Sequence, residues 1–160
     1  MKRGQTQEIF VWLFVLIVAG AILFFGIKLI KKSEGLKDEV LVVKFFNDLD
    51  KKLSQYYFLD KGSSGEEKFL LPGDVKKVCF VNETGSFVKG NIPGNDGEII
   101  DNLKEFGDAF ILPFNAYNEN RFNISTKITI DENPKCLDVL NGVLIANLEN
   151  LGVKQGVQIK

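Results

Sequence analysis

The chain of 160 residues is nearly neutral, with 20 Lys/Arg against 21 Asp/Glu, and it contains two cysteines and no histidine. A sequence without histidine excludes Ser-His and Cys-His catalytic pairs and His-ligated metal sites, and two thiolates alone are too few for a structural zinc site. Residues 33–160 carry fifteen Lys/Arg against twenty Asp/Glu, and such an acidic domain disfavours nucleic acid as a partner.

The first predicted element is a transmembrane helix over residues 9–27, which read IFVWLFVLIVAGAILFFGI without a charged side chain. At about 1.5 Å per residue a helix of this length spans roughly 28 Å, close to the hydrocarbon core of a bilayer. A surface helix of a globular domain has a polar face, and this segment has none. We therefore expect a single-pass protein in a lipid bilayer, with residues 1–8 as a stub or leader.

A secretory signal peptide is the alternative interpretation of the same segment. Ala19-Gly20-Ala21 supplies a small-x-small triplet of the kind that precedes a cleavage site. Cleavage there would leave Ile22-Leu23-Phe24-Phe25 at the new amino terminus. Because that end is strongly apolar, the sequence favours an anchor that is retained.

The residues in front of the apolar helix carry a family resemblance. Lys2-Arg3, then Gly4 and Gln5, then Glu8 resemble the class III signal peptides of archaeal type IV pilin-like proteins. The resemblance implies that a membrane peptidase cuts after Gly4 and leaves Gln5 as the amino terminus. It also implies that Glu8 pairs with the terminal amine of a neighbouring subunit during filament assembly. In this chain Glu8 would be the fourth mature residue, where the family usually has its acid at the fifth, and Gln7 replaces the usual serine.

The orientation of the anchor follows from two signals that disagree. Lys2 and Arg3 precede the apolar segment, while Lys28, Lys31 and Lys32 follow it, and this count slightly favours a carboxyl-terminal domain inside the cell. The cysteines and glycosylation sequons described below favour an external domain. We expect a cell-membrane protein with its carboxyl-terminal domain outside.

Helical spacing continues beyond the apolar segment. Apolar residues recur at steps of three or four at Leu36, Val40, Val43, Phe46, Leu49, Leu53 and Tyr56. We expect residues 28–60 to extend the anchor as one long, bent helix, and residues 36–57 to pack on the sheet of the same chain. Packing on a partner subunit is the alternative.

Residues 61–160 have the pattern of one α+β domain. Strands are predicted near 69–71, 77–81, 110–114, 124–130, 136–140, 143–148 and 152–159, with a loop at 62–65 and a short helix near 99–106. Asn141-Gly142 is the strongest hairpin signal, because this dipeptide accepts the positive φ angles of a type I′ turn. The predicted fold is a long amino-terminal helix packed on a mostly antiparallel sheet, which is also the pilin-like arrangement.

Two kinds of covalent modification are predicted outside the anchor. Cys79 and Cys136 form an even pair suited to one disulfide in an oxidising compartment, and two buried free thiols are the alternative. The sequons Asn82-Glu83-Thr84 and Asn123-Ile124-Ser125 make Asn82 and Asn123 candidate glycosylation sites.

The sequence contains no pattern typical of catalysis. It has no nucleophile paired with a base, no phosphate-binding loop and no full set of metal ligands, so we predict neither an enzyme nor a cofactor or metal site. We expect a membrane-anchored surface protein, with itself as a candidate partner through the amino-terminal helix in a pilin-like filament. The alternative is a single-pass binding module or membrane-complex subunit that does not polymerise.

Overall fold

The computed structural model describes residues 4–83, 85–92, 94–114, 116–118 and 120–160, and it describes their side chains except at 4–9, 29–36 and 91. The chain forms two compact units, Met1–Lys37 and Asp38–Lys160. The first unit is helical at every described residue, and the second contains the sheet and the hydrophobic core.

Helix α1 spans Gly4–Tyr57. The chain has no proline before Pro72, so no residue of this stretch lacks a backbone donor. The carboxyl end of α1 is capped from a distance, because the Asn150 side-chain amide donates to the carbonyl oxygens of Tyr57 at 3.3 Å and of Leu59 at 2.6 Å. These carbonyls lie at or just beyond the end of the helix, where the backbone ladder supplies no donor.

Eight strands form one mostly antiparallel sheet. They are β1 Ser64–Leu70, β2 Lys77–Phe80, β3 Ala109–Leu112, β4 Arg121–Phe122, β5 Ile128–Thr129, β6 Lys135–Leu140, β7 Val143–Asn150 and β8 Val157–Ile159. The spatial order is β4-β3-β2-β6-β7-β8-β5, and β1 pairs with β7. Only the β5–β8 pair is parallel among the strand pairs of the described chain. The predicted α+β class is confirmed.

Two hydrophobic clusters lie on opposite faces of this sheet. The carboxyl-terminal part of α1 packs on one face, where Val78 and Phe80 of β2 belong to the same cluster as Leu49 and Leu53. The intervening Cys79 joins the second cluster, which includes Ile100 of the short helix α2, Asp96–Leu103. Successive residues of a strand point to opposite faces, so β2 is covered by α1 on one side and by α2 on the other.

The buried face of α1 agrees with the predicted stripe at Phe46, Leu49 and Leu53 and differs from it at two earlier positions. Val40 and Val43 are 65% and 45% exposed, while Val42 and Phe45 are buried. Phe45 contacts the ring of Phe69 with 5.7 Å between centroids. A buried aromatic ring removes more apolar area from water than a valine does, so the helix faces the sheet with its phenylalanines.

The strand predicted over 124–130 is wrong for most of its length, because only Ile128 and Thr129 pair as β5. Two residues before β5 instead donate backbone hydrogen bonds to carboxylates. The backbone N–H of Ile124 donates to Asp108 at 2.9 Å, and that of Ser125 donates to Asp50 of α1 at 2.9 Å. The segment thus takes its hydrogen bonds from side chains of other elements, which local alternation does not report.

The Asn141-Gly142 hairpin is confirmed. It joins β6 to β7 with φ angles of 52° and 73° at the two turn residues. The loop predicted over 62–65 is shorter than expected, because β1 already begins at Ser64.

Candidate functional site

The apolar part of α1 is the first candidate functional surface. Residues Phe10–Lys28 are long and apolar enough to cross a membrane, a test that a signal sequence or the core helix of a soluble protein also passes. None of this window is buried in the structure, and Trp12 and Phe24 are 68% and 65% exposed. A continuous apolar surface of this size requires an apolar partner, which a bilayer supplies.

The candidate processing and assembly residues lie at the amino end of α1. Residues Gly4, Gln5 and Glu8 are within the helix, but their side chains lie outside the part that the structure describes. Lys2 and Arg3 also lie outside it. The contacts of Glu8 therefore stay a prediction.

The two cysteines form a disulfide, Cys79–Cys136. They are directly opposite each other in the antiparallel β2–β6 pair, and Cys79 is fully buried in the cluster beneath α2. The bond therefore joins adjacent strands on the α2 side of the sheet and links cysteines that are 57 positions apart in the sequence.

The two sequons differ in their surroundings. Asn123 is exposed, and the Ser125 hydroxyl of its sequon donates to the Asp50 carboxylate at 2.6 Å. Asn82 is half-buried, and its backbone N–H and carbonyl both bond the Asn133 side chain, at 3.1 Å and 2.8 Å. Thr84, which belongs to the Asn82 sequon, lies outside the described residues.

A groove of about 370 Å³ lies between α1 and β1. Its walls carry four lysines, Lys44, Lys51, Lys52 and Lys68, and one acid, Asp48. Beside the groove Lys52 makes a salt bridge of 3.0 Å with Glu67 of β1. Lys68 also makes a salt bridge, at 3.4 Å with Glu66. Lys44 and Lys51 against the one acid Asp48 still leave the groove with a net positive charge.

Glu67 also accepts a hydrogen bond from the Tyr56 hydroxyl at 3.3 Å. Burial, followed by the nearby Glu67 carboxylate, raises the pKa of Tyr56, so its hydroxyl keeps the proton that it donates. Tyr56 lies over Gly65, where a Cβ atom would come within 2.2 Å of the tyrosine oxygen. The bonds of Glu67 to Lys52 and Tyr56 thus hold β1 against α1, and Gly65 lets the Tyr56 ring approach the strand closely.

The outer edge of β1 is open. On its inner edge β1 pairs with β7 over all seven residues. The N–H of Leu71 donates to Gly142, and that of Asn150 donates to the carbonyl of Ser63, so the odd-numbered residues are the ones that bond β7. In an antiparallel ladder the alternate residues then direct their N–H and C=O groups to the other edge. Within the described residues no second strand pairs there.

The described residues contain no group of three or more His, Cys, Asp or Glu side chains that could hold a metal ion. Asp101 is engaged in two salt bridges, at 2.9 Å with Lys104 and 3.0 Å with Lys89. These bonds lower the pKa of Asp101, and they join α2 to the neighbouring segment.

The groove and the open edge were not predicted from the sequence. A loop was predicted over the first residues of β1, because Gly62, Ser63, Ser64 and Gly65 are all typical turn residues. The signal that was available is the composition of Ser64–Lys68, which has two small residues followed by three charged ones. Such composition is common on edge strands, which carry charge to avoid aggregation.

Comparison with known proteins gives no family: no family model, no curated protein and no solved structure is significantly similar to this chain.

Proposed function

We propose that the protein is a membrane-anchored, non-catalytic surface protein whose domain 38–160 is outside the cell. The observation that carries the proposal is the fully unburied apolar window Phe10–Lys28. The Cys79–Cys136 disulfide supports an external domain, because disulfides persist in oxidising compartments.

The topology can be tested on native membranes. An integral anchor keeps the protein in the pellet after a carbonate wash, and protease added to the outside of intact cells removes the domain beyond about residue 38. Protection of the domain in intact cells, with cleavage only after lysis, would mean the opposite orientation. Release by carbonate would mean that Phe10–Lys28 does not span the membrane.

We further propose a pilin-like role for the amino-terminal helix. The support is the leader-like sequence around Gly4 and Gln5 and the packing of the carboxyl-terminal part of α1 on a mostly antiparallel sheet. In a bundle of apolar helices the Glu8 carboxylate is costly unless a cation neutralises it. The amine of Gln5 on a neighbouring subunit is suited to that task.

Amino-terminal sequencing and site-directed variants test this role. The mature protein should begin at Gln5, and Gly4→Leu should block the cleavage. Glu8→Gln should leave membrane retention and the thermal unfolding of the domain unchanged, while it reduces filaments or cross-linked oligomers. A native terminus at Met1 or Lys2, together with unchanged assembly of Glu8→Gln, would contradict the pilin-like role.

Asn123 is the better of the two candidate glycan acceptors, because it is exposed and belongs to a sequon whose serine is also exposed. Glycosylation of Asn123 can be tested by comparing the intact mass of the native protein with that of the Asn123→Gln variant. A mass that this substitution changes only by the residue difference would exclude a glycan at Asn123.

The second candidate function is an anchored binding module that does not polymerise. The open edge of β1 beside a cationic groove favours it, since both features can receive an extended chain. The two functions are compatible in one protein, because the first uses α1 near its amino end and the second uses β1.

A further inference from the structure

We propose that β1 binds an extended acidic segment of a partner protein, which adds a strand to the sheet beside the lysine groove. The occupant is identified by its chemistry, a peptide with acidic side chains on the face that meets α1. The proposal deepens the binding-module function and does not depend on filament assembly.

The backbone of β1 supplies the first argument. Since the odd-numbered residues bond β7, the N–H and C=O groups of Ser64, Glu66, Lys68 and Leu70 point to the open edge. These groups form an evenly spaced row that an extended chain can pair with. Strand addition of this kind obtains its affinity from main-chain hydrogen bonds and its specificity from alternate side chains.

The groove supplies the second argument, because it lies along this edge. Its β1 wall is Lys68, Phe69 and Leu70, and the inner edge of these residues is already occupied by β7. An added strand would therefore lie below the α1 wall. Its α1-facing side chains would approach Lys44 and Lys51, which have no salt-bridge partner within the described chain. Charge complementarity thus selects acidic residues at those positions.

The other face of the added strand would meet a different surface. The side chains of Leu70 and Leu140 are 66% and 71% exposed, and Val143 lies opposite both of them in the strand registers. Small apolar patches on a sheet face favour apolar side chains on the incoming strand. The recognised segment therefore alternates acidic with apolar residues.

A second copy of this chain is a poorer occupant. Antiparallel pairing of β1 with itself about Glu67 puts like charges opposite at that residue but opposite charges at Glu66 and Lys68, so the charges of β1 alone do not decide. The grooves decide instead. The two-fold axis of such a pair is perpendicular to the sheet, so both copies of the lysine groove would lie side by side on the same face and repel each other.

The test uses the full chain in detergent micelles and a short synthetic peptide that alternates glutamate with valine. Hydrogen exchange followed by NMR should show that the peptide protects the amides of Ser64, Glu66, Lys68 and Leu70. The amides of the odd-numbered residues are already bonded to β7 and should change little. If the peptide binds without protecting the even-numbered amides more than the odd-numbered ones, strand addition is wrong.

Matched variants separate the backbone from the charges. Glu66→Pro removes one outward N–H and should abolish binding, whereas Glu66→Ala keeps that N–H and should bind normally. A peptide N-methylated at alternate residues makes the same test on unaltered protein, in case the proline variant does not fold. Equal binding of the normal and N-methylated peptides would contradict the proposal.

The charge arm uses Lys51→Glu, with Lys154→Glu as an exposed control away from the groove. Reversal of the groove charge should weaken binding by about tenfold at low salt, and the control should bind like the unaltered protein. An equal loss in both variants would mean that only the net charge attracts the peptide. Self-association of the full chain through protected β1 amides, without peptide, would replace the acidic partner by a second copy.

Discussion

Asn150, in strand β7, caps the carboxyl end of helix α1. It is 2% exposed, and no other polar side chain is buried in the described part of the chain. Its amide donates to the carbonyls of Tyr57 and Leu59, and its oxygen accepts the N–H of Gly152 at 2.8 Å. A single side chain thus bonds two backbone carbonyls and one backbone N–H. Removing this side chain would leave all three groups without that partner.

The substitution Asn150→Ala should lower the free energy of unfolding by about 2–3 kcal/mol, because a buried polar group that loses its partner costs that much. The control is Asn147→Ala, an exposed position on the same strand, where a change within about 0.5 kcal/mol is expected. Denaturant unfolding of both variants measures the difference. Equal stabilities would mean that water replaces the cap.

Gly142 is the residue at which the β6–β7 turn requires glycine. Its φ is +73°, and an added Cβ would come within 2.8 Å of the Leu71 carbonyl oxygen. Gly142→Ala should therefore destabilise the protein by about 2 kcal/mol. Gly73→Ala is the control, because no heavy atom lies within 4 Å of its added Cβ. Thermal unfolding that ranks the two variants alike would contradict this explanation.

Helix α2 and the segment before it form a cover over the second hydrophobic cluster. Asp101 on α2 holds Lys89, and Lys104 also lies 5.7 Å from the ring centroid of Phe87. The salt bridges lower the pKa of Asp101 below its ordinary 3.8 and raise that of Lys89 above its ordinary 10.5. Both shifts favour the charged pair in the folded state.

The contribution of Asp101 to stability should therefore depend on pH. A carboxyl whose pKa falls on folding stabilises the protein above its unfolded pKa, and this is lost as the pH drops through the folded value. Asp101→Asn should lower the thermal midpoint at neutral pH, and the difference from the unaltered protein should vanish at pH values well below 3.8. Glu105→Gln, at an exposed position, is the control. A difference that persists in strong acid would assign the effect to packing.

The disulfide acts on strands β2 and β6, which are already paired. Its main effect should be on the unfolded chain, in which it closes a loop between cysteines 57 positions apart. The double variant Cys79→Ala/Cys136→Ala should lose about 4 kcal/mol by the chain-entropy model. Unchanged stability of the double variant would contradict this account.

The molecule as a whole divides into two units that differ in their relation to solvent. Unit 38–160 contains both hydrophobic clusters, and unit 1–37 contains the exposed apolar window. A domain with its own core should not depend on the anchor for folding.

A fragment of residues 38–160 should accordingly be monomeric in buffer without detergent, while the full chain requires detergent or lipid. Its far-ultraviolet circular dichroism and its cooperative unfolding would report the fold. Substituting Leu49→Ala in the fragment should destabilise it by about 2–5 kcal/mol, because Leu49 is fully buried against the sheet. A fragment that is unfolded while the full chain is folded would mean that the first unit contributes to the core.

The sequence by itself determined the features that depend on neighbouring residues. The apolar span, the α+β class and the Asn141-Gly142 turn follow from hydropathy, periodicity and backbone dihedral preference, all of which act over a few residues. Tertiary structure decided which face of α1 is buried, how Asn150 caps its end, and that β1 has an open edge. These depend on pairings between distant segments, where the area buried and the hydrogen bonds satisfied are properties of two elements together, so neither segment's own pattern contains them.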